Sequence, residues 1–148
     1  NPESAHGSNL LLAWKDIEET QAQLKTLKRK ARNLEKLGAV KFTIASDAAE
    51  RQRILNRLLD QKQRRYEDTR VPGFAENPSH KVFFEQATDV FSATGDLHLA
   101  ALEVGDEIIA TSWTVAVGKT IYELMIGFES GEWAKHSGGR ILNLKFLE

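Results

Sequence analysis

Four consecutive residues near the C-terminus, Ser137, Gly138, Gly139 and Arg140, lie where a strand pattern gives way to a helix pattern. A helix N-terminus leaves backbone N–H groups without internal partners and carries partial positive charge, so it binds anions readily. Glycines there let a phosphate approach closely. The serine hydroxyl can donate a hydrogen bond or cap the helix, and the arginine can add a charge-assisted contact. The segment is a candidate pyrophosphate cradle, although a Ser-Gly-Gly turn is more often only a turn.

The composition is typical of one globular domain, with 41% hydrophobic and 28% charged residues over 148 positions. Cysteine is absent, which excludes disulfides and cysteine-based metal sites, and we assign no metal ligands. No apolar run approaches the roughly 20 residues that span a bilayer, so we expect no membrane span and a cytoplasmic protein. We expect residues 1–8 to be disordered or left from cloning, and residues 9–148 to form a single domain.

Charge is divided unevenly along the chain. Residues 1–70 carry 15 of the 20 Lys and Arg residues but only 10 of the 21 Asp and Glu residues, and residues 71–148 carry the remainder. The two halves can pair internally, or the basic half can face an anionic ligand.

Hydrophobic periodicity predicts the order helix, strand, helix, helix, three strands, helix. The first helix is long and amphipathic, and Gly105-Asp106 and Gly118-Lys119 have the chemistry of hairpin turns between the last three strands. We therefore predict an α/β (α+β) fold, in which helices flank a mixed, largely antiparallel sheet. The expected helices cover about 9–37, 47–66, 79–93 and 140–148.

Several segments recur in an order that is typical of one family. They are a basic helix before GAVKF, a helix ending in QKQRRY, then KVFFEQATDVF, LHLAALEVGDEIIAT, and an aromatic strand followed by Gly127-Phe128-Glu129, Trp133 and SGGRIL. Over residues 27–146 the chain resembles the GNAT acyltransferase superfamily. Within it, the chain is most similar to the branch named after cellulose-biosynthesis acetyltransferases, which is related in fold to the FemAB aminoacyl transferases.

The chain differs from the usual pattern of this branch in two respects. Gly138 stands where the branch usually has proline, which loosens the segment but leaves its amides available. The branch continues past the final helix of this chain, so we expect the domain to be truncated at its C-terminus. The resemblance further implies a bacterial protein of polysaccharide biosynthesis.

Coenzyme contacts follow from the resemblance by position. In GNAT folds the strand before the cradle splays from its neighbour, and its backbone pairs with the pantetheine arm of coenzyme A. The implied co-substrate is acetyl-CoA, and the implied reaction is direct attack of an acceptor amine or hydroxyl on the thioester. The implied contacts are Leu124, Met125, Ile126 and Gly127 for the pantetheine arm and Ser137, Gly138, Gly139 and Arg140 for the pyrophosphate.

Two residues are candidates for proton transfer in such a reaction. Glu123 lies on the same strand and is our first candidate for the base, against the slightly favoured alternative of a solvent-facing strand residue. Tyr122 should point to the opposite face unless a bulge intervenes. His136 precedes the cradle and is the second candidate, although a histidine at such a place more often lies on a loop surface.

Three functions stay open on the sequence alone. The first is an acyl-CoA-dependent N- or O-acyltransferase acting on a small-molecule or polysaccharide-precursor acceptor. The second is a FemAB-type transferase with an aminoacyl-tRNA donor, and the third is a non-catalytic module that forms a homodimer through an exposed sheet edge. The basic segment KRKAR (28–32) fits a solvated helix face better than a contact with the coenzyme's 3′-phosphate or an anionic acceptor. Nucleic-acid binding is disfavoured, because no aromatic residues are interleaved with this segment.

Overall fold

The computed structural model describes the backbone of residues 2–147 and the side chains of residues 17–146. The predicted order of elements is confirmed, with one addition, a short 3₁₀ helix before the last α-helix. Residues 1–8 carry no described side chains, so the expectation for them stays a prediction. The elements are α1 (Pro2–Glu35), β1 (Val40–Ile44), α2 (Ala48–Thr69), α3 (Pro78–Thr94), β2 (Leu97–Val104), β3 (Glu107–Val117), β4 (Thr120–Phe128), the 3₁₀ helix (Gly131–His136) and α4 (Gly138–Leu147).

The four strands form one sheet in the order β1-β2-β3-β4. Every pairing in this described sheet is antiparallel, which confirms the largely antiparallel prediction. Gly105 and Gly118 take φ of 60°, the left-handed conformation that a two-residue hairpin turn requires at this position. As a consequence of this order, β4 lies at one edge of the sheet.

Helices cover both faces of the sheet, and each face has its own hydrophobic core. On one face, α2 and α3 pack around Trp113, which is fully buried between the ring edges of Phe84 and Phe91. On the other face, α1 and α4 pack on the sheet through residues that include Leu34 and Ile141, both fully buried. None of the helices in the described part of the chain is long and apolar enough to cross a bilayer.

The apolar stripe of α1 is buried only in part. Leu27 and Leu34 pack into the core with α4, but Ile17 is 48% exposed and Leu37 is 58% exposed. Trp14, the first residue of the stripe, lies outside the described side chains. Helical periodicity shows which residues share a face, but not how far along the helix a packing partner extends.

Three arginines of α2 pair with carboxylates on or next to the sheet, so the basic and acidic halves of the chain do meet internally. Arg53 lies 2.7 Å from Glu103, and Arg64 lies 2.8 Å from Glu129. The hydrogen bond from Arg53 lowers the pKa of Glu103, against a smaller opposing effect of burial, and the same bond raises the pKa of Arg53. These pairs hold α2 in one position on the sheet.

Candidate functional site

A pocket of about 400 Å³ lies between the end of β4, the 3₁₀ helix and the first turns of α4. Four of the residues that line it are the predicted pyrophosphate residues from Ser137 to Arg140. A larger groove, of about 570 Å³, lies between α2 and α3 and contains none of the predicted site residues. The other walls of the first pocket are Ile126, Phe128, Glu129, Trp133, Ala134 and Asn143.

Gly138 and Gly139 belong to the first turn of α4 and are both buried, whereas the sequence predicted a loop that ends at Arg140. A Cβ on Gly138 would lie 3.4 Å from Ile109, and one on Gly139 would lie 3.1 Å from the Cδ1 of Ile126. A methyl group at Gly139 would therefore press on the flexible end of Ile126, whereas one at Gly138 would make ordinary contacts. That the two glycines admit a phosphate stays a prediction, and their backbone amides are the groups that would contact it.

Ser137 precedes α4 in a left-handed conformation, with φ 55° and ψ 46°. Its carbonyl accepts hydrogen bonds from the amides of Arg140 and Ile141, at 3.0 and 3.1 Å. Its Oγ accepts a hydrogen bond from the Nζ of Lys30 at 2.7 Å, and no described bond joins it to the helix amides. The sequence predicted that this hydroxyl either donates a hydrogen bond or caps the helix. It does not cap the helix in this structure. Among the described hydrogen bonds, the N–H groups of Gly138 and Gly139 have no acceptor.

Arg140 is exposed at the mouth of the pocket. Its guanidinium donates a hydrogen bond to the Oε1 of Gln23 on α1, at 3.0 Å. Arg140 and the two glycines with uncapped amides line the same pocket.

The four predicted pantetheine residues divide between the two sides of β4. Met125 and Gly127 are buried towards α2, whereas Ile126 lines the pocket and Leu124 is 53% exposed. The pairing with β3 shifts at this point, because Trp113 pairs with Met125 but the next residue of β3 pairs with Glu123. Leu124 is thus the extra residue of a β-bulge. The outer backbone edge of β4 has no partner strand in the described sheet.

The two candidate proton-transfer residues lie next to the pocket rather than in its wall. Glu123 is exposed on the α4 side, where its Oε1 accepts a hydrogen bond from Asn143 at 3.4 Å. His136 is half-buried, and its ring centroid lies 6.1 Å from that of Trp133. Among the described hydrogen bonds and ring contacts, none joins Glu123 to His136. They are not brought together as a pair.

The predicted separation of Tyr122 and Glu123 is observed. Tyr122 pairs with Val115, which belongs to the core under α2 and α3, while the side chain of Glu123 reaches α4. The two side chains therefore lie on opposite faces of the sheet, despite the bulge that follows them.

The residues that form this pocket belong to a known protein family. A family model described as an acetyltransferase (GNAT) domain matches residues 21–148. The chain belongs to the GNAT family. A search of curated protein sequences finds no significant match. The matched residues include β4, the 3₁₀ helix and α4, so the pocket lies within the GNAT domain, and the predicted superfamily, fold class and acyltransferase activity are confirmed.

One wall of the GNAT domain's pocket is a buried carboxylate to which the sequence assigned no role. Both oxygens of Glu129 accept hydrogen bonds from Arg64, at 2.8 and 2.9 Å, and one also accepts from Gln61 at 3.1 Å. Gln61 in turn accepts a bond from the hydroxyl of Thr111 and donates one to the carbonyl of Ile108. The charge of Glu129 is therefore compensated inside the protein. The sequence drew attention to Glu129 through the Gly-Phe-Glu step. It did not indicate that Arg64 on α2 is the partner of this carboxylate.

Asn143 and Lys30 were also missed as residues of the site. Asn143 lies one and a half turns into α4, where nothing in the local sequence distinguishes it from a surface residue. Lys30 belongs to the KRKAR segment, and the structure separates it from the exposed Lys28, Arg29 and Arg32 by placing it half-buried against the pocket.

Proposed function

We propose that this GNAT domain transfers an acyl group from an acyl-CoA, with acetyl-CoA as the expected donor, to an acceptor amine or hydroxyl. The observation that carries the proposal is the start of α4. There one pocket is lined by Arg140 and by Gly138 and Gly139, whose amides have no acceptor among the described bonds. A diphosphate is the anion that such a helix start, with an arginine beside it, is suited to bind.

In the proposed reaction, different residues bind the coenzyme and transfer the proton. The α4 amides and Arg140 hold the diphosphate, and the free edge of β4 offers backbone groups to the amide-containing arm of the coenzyme. Glu123 accepts the proton of the acceptor as its nitrogen or oxygen attacks the thioester carbonyl. The C–N or C–O bond forms, the C–S bond breaks, and the thiolate leaves and is protonated. His136 is the alternative proton acceptor.

The first test is calorimetric titration of the chain with acetyl-CoA, repeated on Gly139→Asp and Gly139→Ala. The alanine variant adds only a methyl group, whose neighbour is the flexible end of Ile126, so it is the matched control. We expect the aspartate variant to bind at least about ten-fold more weakly, because a negative charge enters the anion site, and the alanine variant to bind nearly as the parent does. The proposal fails if the parent does not bind, or if both variants bind equally well.

We further propose a sugar acceptor of the polysaccharide-precursor class, for which glucosamine is a suitable probe because it offers both an amine and hydroxyls. Release of free thiol from acetyl-CoA measures turnover, and mass spectrometry of the product after mild base separates an amide from an ester. A true base should lose at least about a hundred-fold in kcat on neutralisation. Glu123→Gln and His136→Asn therefore decide between the two candidates.

We also propose that the free edge of β4 pairs with a second copy of the chain when the coenzyme is absent. Ile121, Tyr122 and Leu124 each expose about half of their side chains along this edge. Since the same backbone edge is assigned to the coenzyme, acetyl-CoA should shift the protein towards monomer. Sedimentation velocity with and without acetyl-CoA tests this, and Leu124→Lys should give monomer in both conditions.

A further inference from the structure

Lys30 is the half-buried member of a basic segment whose other charged residues are exposed. Its Nζ donates to the Oγ of Ser137 at 2.7 Å, a contact between residues 107 positions apart. Seven residues earlier on the same helix, Gln23 accepts from Arg140. A spacing of seven is two helical turns, so both side chains lie on one face of α1. That face holds the first and last residues of the Ser137–Arg140 segment.

The conformation of Ser137 needs such support. The left-handed region is disfavoured for a non-glycine residue, because its Cβ crowds the neighbouring backbone carbonyl. A serine that precedes a helix ordinarily takes an extended conformation and turns its hydroxyl back onto the amides of the first turn. Here the hydroxyl is directed to the ammonium of Lys30 instead, and the amides of Gly138 and Gly139 stay without acceptors among the described bonds.

We propose that Lys30 is a positioning residue of the coenzyme site. By binding one of the two lone pairs of the Ser137 hydroxyl, the ammonium directs this hydroxyl away from the α4 amides, so the amides stay free for a phosphate. The hydroxyl proton is then available to the pocket, and a hydroxyl that accepts from a cation is a stronger donor. The identity of the ligand rests on the proposed function. The positioning of Ser137 does not.

A double-mutant cycle with Lys30→Met and Ser137→Ala tests whether Lys30 acts through the serine. Titration with acetyl-CoA should show each single variant binding about ten-fold more weakly, and the double variant no more weakly than Ser137→Ala alone. Lys30→Arg keeps a donor and should recover most of the affinity. Lys25→Met removes an exposed charge from the same helix and should bind as the parent does. Losses that add in the double variant, or no loss in Lys30→Met, would overturn the proposal.

A second readout needs no coenzyme. In the ligand-free protein, the Gly139 amide should exchange its hydrogen more slowly in Lys30→Met, because the released hydroxyl can now cap it. This slowing should be absent when Ser137→Ala is combined with Lys30→Met, and absent in Lys25→Met. Unchanged exchange in Lys30→Met would overturn the positioning role. Slower exchange in a protein whose parent form does not bind acetyl-CoA would preserve it and reject the coenzyme as ligand.

Discussion

Replacement of Gly127 by alanine should be far more damaging than an added methyl group usually is. A Cβ at this position would lie 2.7 Å from the Oε1 of Gln61 and 2.8 Å from the Oγ1 of Thr111. Both distances are shorter than a carbon can approach an oxygen without displacement. Gln61 is 1% exposed and Thr111 is fully buried, so neither side chain can turn aside into solvent.

The cost can be worked from the bonds of Gln61. Its side chain makes three buried hydrogen bonds, to Thr111, to the carbonyl of Ile108 and to Glu129. Displacing it loses these bonds at about 1 kcal/mol each, or weakens them, and the overpacking adds about 1 kcal/mol more. We expect Gly127→Ala to lower the free energy of unfolding by about 3 to 4 kcal/mol.

Urea denaturation followed by far-UV circular dichroism measures this loss. Gly138→Ala is the matched control, because its Cβ would meet only ordinary contacts at 3.4 Å and beyond, and we expect a change of less than about 1 kcal/mol. Gln61→Ala removes the nearest clashing atom and leaves the Oγ1 of Thr111, so Gly127→Ala should cost less in that background. A loss below about 1 kcal/mol for Gly127→Ala, or additivity with Gln61→Ala, would refute the reasoning.

Three further measurements test other parts of the fold. Because hydrogen bonding to Arg53 lowers the pKa of Glu103, this pair stabilises fully above pH about 4.5 and loses its contribution as the pH falls towards the lower folded value. Glu103→Gln should therefore flatten the acid limb of a plot of unfolding free energy against pH, and an unchanged limb would exclude this role. Trp113→Phe should cost about 2 kcal/mol in urea denaturation, since it opens a cavity and removes a buried indole hydrogen bond. Asp47→Ala should cost about 1 kcal/mol and Ser46→Ala much less, because the aspartate is the residue that caps α2. Equal losses would assign the cap to both.

Most of the fold could be predicted because its signals are local. The hairpin turns at Gly105 and Gly118 follow from glycine at positions that need positive φ, and Gly95 ends α3 in the same conformation. The inward residues of α2 follow from helical spacing. The exposure of Ile17 and Leu37 could not be predicted, because it depends on where the packing partners of α1 end.

The candidate site was predicted less completely, because its decisive features are contacts between distant segments. The prediction of an anion site at this helix start follows from Ser-Gly-Gly-Arg alone. The contact of Ser137 with Lys30 does not, since the two residues are 107 positions apart. The bulge at Leu124 also escaped prediction, because a bulge is a property of the pairing between two strands. In the same way, the partners of Glu129 are fixed by the packing of α2 on the sheet.

The connection from β4 to α4 is held by helices on both faces of the sheet, and this bears on how a ligand would bind. The residue that follows β4, Glu129, is held by Arg64, 65 positions away on α2. At the other end of the connection, Ser137 and Arg140 are held by Lys30 and Gln23 on α1. A segment fixed at both ends has already lost most of the conformational freedom that binding would otherwise remove. Lys30→Met should therefore weaken acetyl-CoA binding partly through a less favourable binding entropy, which calorimetry separates from enthalpy. A loss confined to enthalpy would mean that Lys30 contributes charge alone.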